Sequence, residues 1–95
     1  MDSGSIGALE SLARDLGLNR EFLEIKRAAE RLRLVAKGNG YITGFQGEIN
    51  AFIPFEQAGL VEGIRQAGGT SYLFKLTDKG RQLYWDIYLR TEAKH

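Results

Sequence analysis

The chain has no cysteine, and its one histidine is the last of 95 residues. There is thus no disulfide framework, no thiol nucleophile, no thiolate zinc site, and no histidine cluster for a metal or a Ser-His triad. Carboxylates stand singly, with no base or nucleophile placed beside them. The chain is therefore not expected to be an enzyme, and no cofactor or metal is expected. Long apolar runs are missing as well. The longest are a few residues, such as Ala51-Phe52-Ile53, against the roughly 20 that a membrane-spanning helix needs. Met1-Asp2-Ser3-Gly4 has neither the basic start nor the apolar stretch of a secretory signal. A cytoplasmic protein without membrane contact is expected. Nor is there an excess of one charge: the net is +1, which excludes a protein that coats nucleic acid by bulk charge.

What is present suits a folded domain. Hydrophobic residues make up 43% and charged residues 26%, enough apolar surface to offset the entropy of ordering. Residues 1–95 read as one domain. A chain of this size buries only somewhat over ~60% of its unfolded surface, so its core is modest and dimerisation would help it.

Charge is unevenly distributed. Residues 14–37 carry seven cations (Arg14, Arg20, Lys26, Arg27, Arg31, Arg33, Lys37) and four acids. Residues 38–64 carry no Lys or Arg, while Glu48, Glu56 and Glu62 make them −3. The remainder is basic again through Arg65, Lys75, Lys79, Arg81, Arg90 and Lys94.

Periodicity predicts a short helix over 6–16, with Ser5 as N-cap and Gly17 at the left-handed position after it. Asn19 is placed to cap a second helix of about 18 residues. Its seam is Phe22, Ile25, Ala29, Leu32 and Ala36, with Arg20, Arg27 and Arg31 on the opposite side. Tyr41-Ile42-Thr43 reads as a strand. Residues 44–56 admit either a helix broken at Pro54 or an irregular hairpin. Strands over 60–66 and 71–76 flank Ala67-Gly68-Gly69-Thr70, where glycine permits the positive φ of a tight turn. A last amphipathic helix, over about 78–91 and capped by Thr77, has Leu83, Tyr84, Ile87 and Tyr88 as its seam, widened by Trp85 and Leu89.

Two strings, Gly59-Leu60-Val61 and Leu76-Thr77-Asp78-Lys79-Gly80, joined by the glycine-turn hairpin, resemble the wing of MarR- and PadR-type regulators. There a "GLV" enters the first wing strand and "LTxKG" closes the second before a C-terminal helix. The resemblance covers about 30 residues. It implies an α+β winged-helix domain: three or more helices, a small antiparallel sheet and a C-terminal helix.

Two placements of the helix-turn-helix remain open. In one, residues 12–23 are the motif, with Ala13 at the crossing and Gly17 in the turn, and the basic helix from Arg20 enters the major groove. In the other, that helix is scaffold and residues 44–58 hold both motif helices. The spacing to the wing favours the second and charge favours the first, because a duplex presents about one negative charge per 1.7 Å.

The function expected from the resemblance is double-stranded DNA binding by a small transcriptional regulator. Its contacts would be Arg20, Lys26, Arg27, Arg31, Arg65 and Lys75. A homodimer is expected through Leu83, Tyr84, Trp85, Ile87 and Tyr88 of the C-terminal helix, the commonest kind of assembly being two-fold. The alternative is a winged-helix protein–protein interaction module that does not bind DNA, meeting a protein partner through residues 45–58 with Phe45, Phe52, Ile53 and Phe55. The glycines between Gly38 and Gly47 lack a following Lys-Ser/Thr and read as a turn, not a phosphate cradle.

Overall fold

Ser3–Leu16 form helix α1, which ends where Gly17 turns to φ +65. There Gly17 N–H donates to Arg14 O at 3.2 Å and Leu18 N–H to Ala13 O at 2.9 Å, a paired closure that only a left-handed residue allows. This computed structural model describes residues 3–19 and 21–89, apart from the side chains of residues 3–6, 22 and 89. Arg20 and residues 90–95 therefore lie outside the described residues, as do the side chains of Phe22 and Leu89.

Helix α2 (Phe22–Ala36) is 15 residues long with Glu21 at its N-cap, where no side chain caps it. The helix thus begins later than a cap at Asn19 predicts, and Ser5 lies inside α1 instead of capping it. Ala28, Ala29, Leu32 and Val35 of α2 are buried. The short strand β1 (Tyr41–Thr43) follows. Next comes one uninterrupted helix, α3 (Gln46–Gln57), with Pro54 inside it. Neither the hairpin nor the pair of motif helices expected over 44–58 forms. The segment between β1 and the next strand cannot hold two helices and a turn when Gln46–Gln57 of it are a single helix. Pro54 removes one intrahelical hydrogen bond, but Phe52 and Phe55, 1% and 3% exposed, anchor the turn that contains it.

Strands β2 (Val61–Arg65) and β3 (Tyr72–Leu76) form the hairpin, and the sheet order is β1-β3-β2, antiparallel throughout. Tyr41, Tyr72, Phe74, Leu76 and Val61 point into one core with Leu12, Leu32, Phe52, Leu60, Leu83 and Ile87. Helices α2 and α3 and the helix that follows β3 pack on that face, and α1 packs in turn on α2 and residues 85–89. The other face, with Ile42, Leu73, Ile64, Glu62 and Lys75, stays uncovered by them.

Helix α4 (Asp78–Tyr84) is capped as expected, Thr77 Oγ1 accepting from Gly80 N–H at 3.1 Å. It does not continue as an α-helix to residue 91. From Trp85 to Leu89 the chain winds as a π-helix, a wider turn of the kind that marks local irregularity. The arrangement is α+β and winged-helix-like, with a three-stranded antiparallel sheet and a C-terminal helix.

Candidate nucleic-acid interface

The two strings that carry the resemblance meet in space. Helix α3 closes on Gly59 (φ +78) with Gly59 N–H on Glu56 O at 3.0 Å and Leu60 N–H on Phe55 O at 2.9 Å. This delivers Leu60, fully buried, to the start of β2. Thr77 then ties the strings together: its N–H donates to Leu60 O at 3.1 Å and its hydroxyl to Gly59 O. Lys79 Nζ donates to Ala58 O at 3.1 Å and pairs with Asp15 at the same distance. The helix before the wing is thereby held rigidly against it, and that helix is α3, not α2.

At about 100° per residue, Glu48, Phe52 and Phe55 share the inward side of α3, and Gln46, Asn50, Ile53 and Gln57 share the outward side. All four outward residues are exposed. The two acids that count against α3 as a DNA reader are both turned off this stripe. Glu48 accepts a hydrogen bond from the Tyr41 hydroxyl. Glu56 leans over β2, its Oε2 standing 2.6 Å from where a Cβ on Gly63 would be. The outward stripe is free of carboxylates, and Gln46 Nε2 donates to Asn50 Oδ1 at 2.9 Å. The α3 N-cap, Phe45, supplies no side-chain acceptor for the first turn.

Arg65 pairs with Tyr72, and Tyr72 in turn with Thr43. Thr43 Oγ1 accepts from Phe45 N–H at 3.2 Å. Arg65 and the α3 N-terminus thus lie at the same end of the sheet. The Arg65 guanidinium folds over the hairpin turn, where Gly68 and Gly69 take φ of +95 and +76, and its Nη2 donates to Gly69 O at 3.3 Å. Lys26 and Arg27 are exposed on α2. They line an open groove of about 630 Å³ with Leu23, Glu30, Leu34, Tyr41 and Glu48, which α3 enters through Glu48 in its first turn.

The remaining expected contacts lie elsewhere. Arg31 is half-buried with its guanidinium 5.7 Å from the Phe52 ring centroid, a packing role as much as a charged one. Lys75 sits on the uncovered face of the sheet, directly opposite Glu62. Arg20 is outside the described residues. Lys26, Arg27 and Arg65 are therefore the predicted cations that the fold sets around α3. Gln46, Asn50 and Gln57 were missed by sequence reasoning. Their spacing was the available signal, hidden because 44–56 read equally as a helix broken at Pro54 or as a hairpin.

The expected dimer residues divide as well. Leu83 and Ile87 are 8% and 6% exposed within the monomer, and Tyr84 and Tyr88 pack against the same core. The seam of the C-terminal helix packs on α1 and α2, and Trp85 stands exposed beside it. Of the apolar set expected to meet a protein partner, Phe52 and Phe55 are core, while Phe45 and Ile53 are 73% and 45% exposed.

The Tyr41 hydroxyl is held protonated above its ordinary range, first by its hydrogen bond to Glu48, then by burial and the Glu48 charge, with Arg31 opposing. Among the described residues no group of three or more His, Cys, Asp or Glu could hold a metal ion. Among them, too, no helix is long and apolar enough to cross a membrane. No protein-family model, no curated protein and no solved structure matches this chain.

Proposed function

We propose that this protein binds double-stranded DNA as a small winged-helix transcriptional regulator of the cytoplasm, reading it with α3. The observation that carries this is the outward stripe of α3. It presents the amides of Gln46, Asn50 and Gln57 beside the wing, with Glu48 turned inward to Tyr41 and Glu56 turned aside over Gly63, so that neither carboxylate lies on the stripe. Asn and Gln amides match the donor and acceptor of adenine in the major groove. Lys26, Arg27 and Arg65 supply backbone-positioning charge around them, which sets register without reading sequence.

The test is titration of the purified chain against random-sequence duplex at two salt concentrations. Three phosphate contacts give a log–log salt slope near −2.7, so affinity falls about 40-fold between ~50 and ~200 mM salt. Replacing Lys26, Arg27 or Arg65 by Gln lowers that slope by about one unit each. Asn50→Ala leaves the slope intact and relaxes sequence preference at one base pair by ~1–3 kcal/mol. No binding at ~50 mM salt would overturn the proposal. Exposed Phe45 and Ile53 favour the second reading, a protein-docking module through residues 45–58, and that reading is the one left standing if the titration fails.

A further inference from the structure

The sheet is a single layer with helices on one side only. On its other side, Ile42, Leu73 and Ile64 line up across all three strands, because Ile42 pairs with Leu73 and Leu73 with Ile64. Ile42 is 62% and Ile64 38% exposed. An antiparallel sheet tolerates one solvated face, but that face then alternates to polar residues. Here the row is aliphatic, and none of the described helices covers it.

The next row on β2 and β3 is Glu62 opposite Lys75, both exposed. Its register has a specific consequence. A two-fold axis running along the strands, midway between β2 and β3, carries each β2 residue over the partner's paired β3 residue. Each Ile64 then covers the other copy's Leu73, and each Glu62 faces the other copy's Lys75. Ile42 extends the apolar row past the partner's β2 edge. Sheets stacked this way sit about 10 Å apart with interdigitating side chains.

We infer that this open face is a homodimer interface, occupied by a second copy of the chain stacked sheet on sheet. A face bearing one acid and one base in adjacent register has no net charge to recruit a nucleic acid or a strongly charged partner. Its own two-fold image matches the paired groups of β2 and β3: Ile64 on Leu73, and the Glu62 carboxylate on the Lys75 ammonium. Isologous contacts of this kind are how most two-fold dimers form. The interface replaces the C-terminal helix as the dimer element, since the seam of that helix is already core. It lies on the side of the sheet away from α3, so DNA binding neither requires it nor is blocked by it. Strands of five residues are only about 16 Å long. The patch is therefore small against the ~800 Å² per partner of a standard interface, and the dimer is weak.

The test is sedimentation equilibrium of the full chain, without DNA, from roughly 10 μM to 1 mM, the range where a small interface self-associates. The parent protein shifts from monomer to dimer within it. Glu62→Lys and Lys75→Glu, each alone, set like charges face to face twice per dimer and weaken association about tenfold. Mixed one to one, the two variants restore it, because each then offers what the other lacks. Ile64→Gln, at an exposed position, weakens association without touching either charge and serves should a charge variant fail to fold. A parent chain monomeric throughout overturns the inference. So does a mixture that associates no better than its components, or an Ile64→Gln chain that dimerises like the parent.

Discussion

A Cβ built on Gly80 would stand 1.9 Å from the carbonyl oxygen of Leu60, so α4 begins in backbone contact with the residue that opens β2. The same carbonyl accepts the Thr77 N–H, which leaves it no freedom to move aside. Gly80→Ala is expected to cost about 3 kcal/mol, the upper part of the usual overpacking range. A urea titration checks this through the unfolding midpoint. A variant as stable as the parent would mean that the two strings are not in contact.

The Tyr41–Glu48 pair makes a pH-dependent prediction. The folded protein holds the Tyr41 proton above the ordinary value of 10.0, through the Glu48 hydrogen bond first and burial second. A raised value means that the contribution to stability is fully present below pH 10.0 and is lost as pH rises through the folded value. The difference in near-ultraviolet absorbance titration between the parent and Tyr41→Phe isolates this phenol from the other tyrosines. Glu48→Gln brings its titration back toward 10.0. An unchanged curve in that variant would assign the shift to burial alone.

Much of the frame was legible in the sequence, and the reasons are local. Gly17, the Gly68-Gly69 turn and the Thr77 cap each do a job that few other residues can do, so their chemistry shows without context. The hairpin strands showed through the alternation of Tyr72, Phe74 and Leu76. Helix α3 showed only as one of two alternatives, for three reasons. Gly44 and Gly47 sit at its start and Pro54 near its end. In addition, Phe45 and Ile53 put apolar residues on its outward side, blurring the period that Phe52 and Phe55 set. The facing of such a helix was not legible either, so Glu48 and Glu56 were counted as repulsive charge on it. That Glu48 turns inward and Glu56 turns aside over β2 is a tertiary fact, fixed by Tyr41 and by the missing side chain at Gly63. The C-terminal seam was read as apolar, and Leu83 and Ile87 of it are buried within the monomer. Composition does not tell a surface that awaits a second chain from one that α1 and α2 already cover.

Phe52 and Ile53 are neighbours in sequence with opposite roles, and together they test the direction in which α3 faces. Phe52 is 1% exposed, with its ring stacked on Phe74 at 4.5 Å between centroids and edge-on to Tyr41 and Phe55 at 5.9 Å. Phe52→Ala therefore opens a cavity where α3 meets the sheet and is expected to cost ~3–5 kcal/mol. A domain with ~5–15 kcal/mol in total would then be partly unfolded or nearly so. Ile53 is 45% exposed on the outward stripe, so Ile53→Ala is expected to stay within about 0.5 kcal/mol of the parent. Thermal melts of the two variants decide it. If Ile53→Ala were the more damaging, α3 would face the other way, and the amide stripe proposed to read DNA would be turned into the protein.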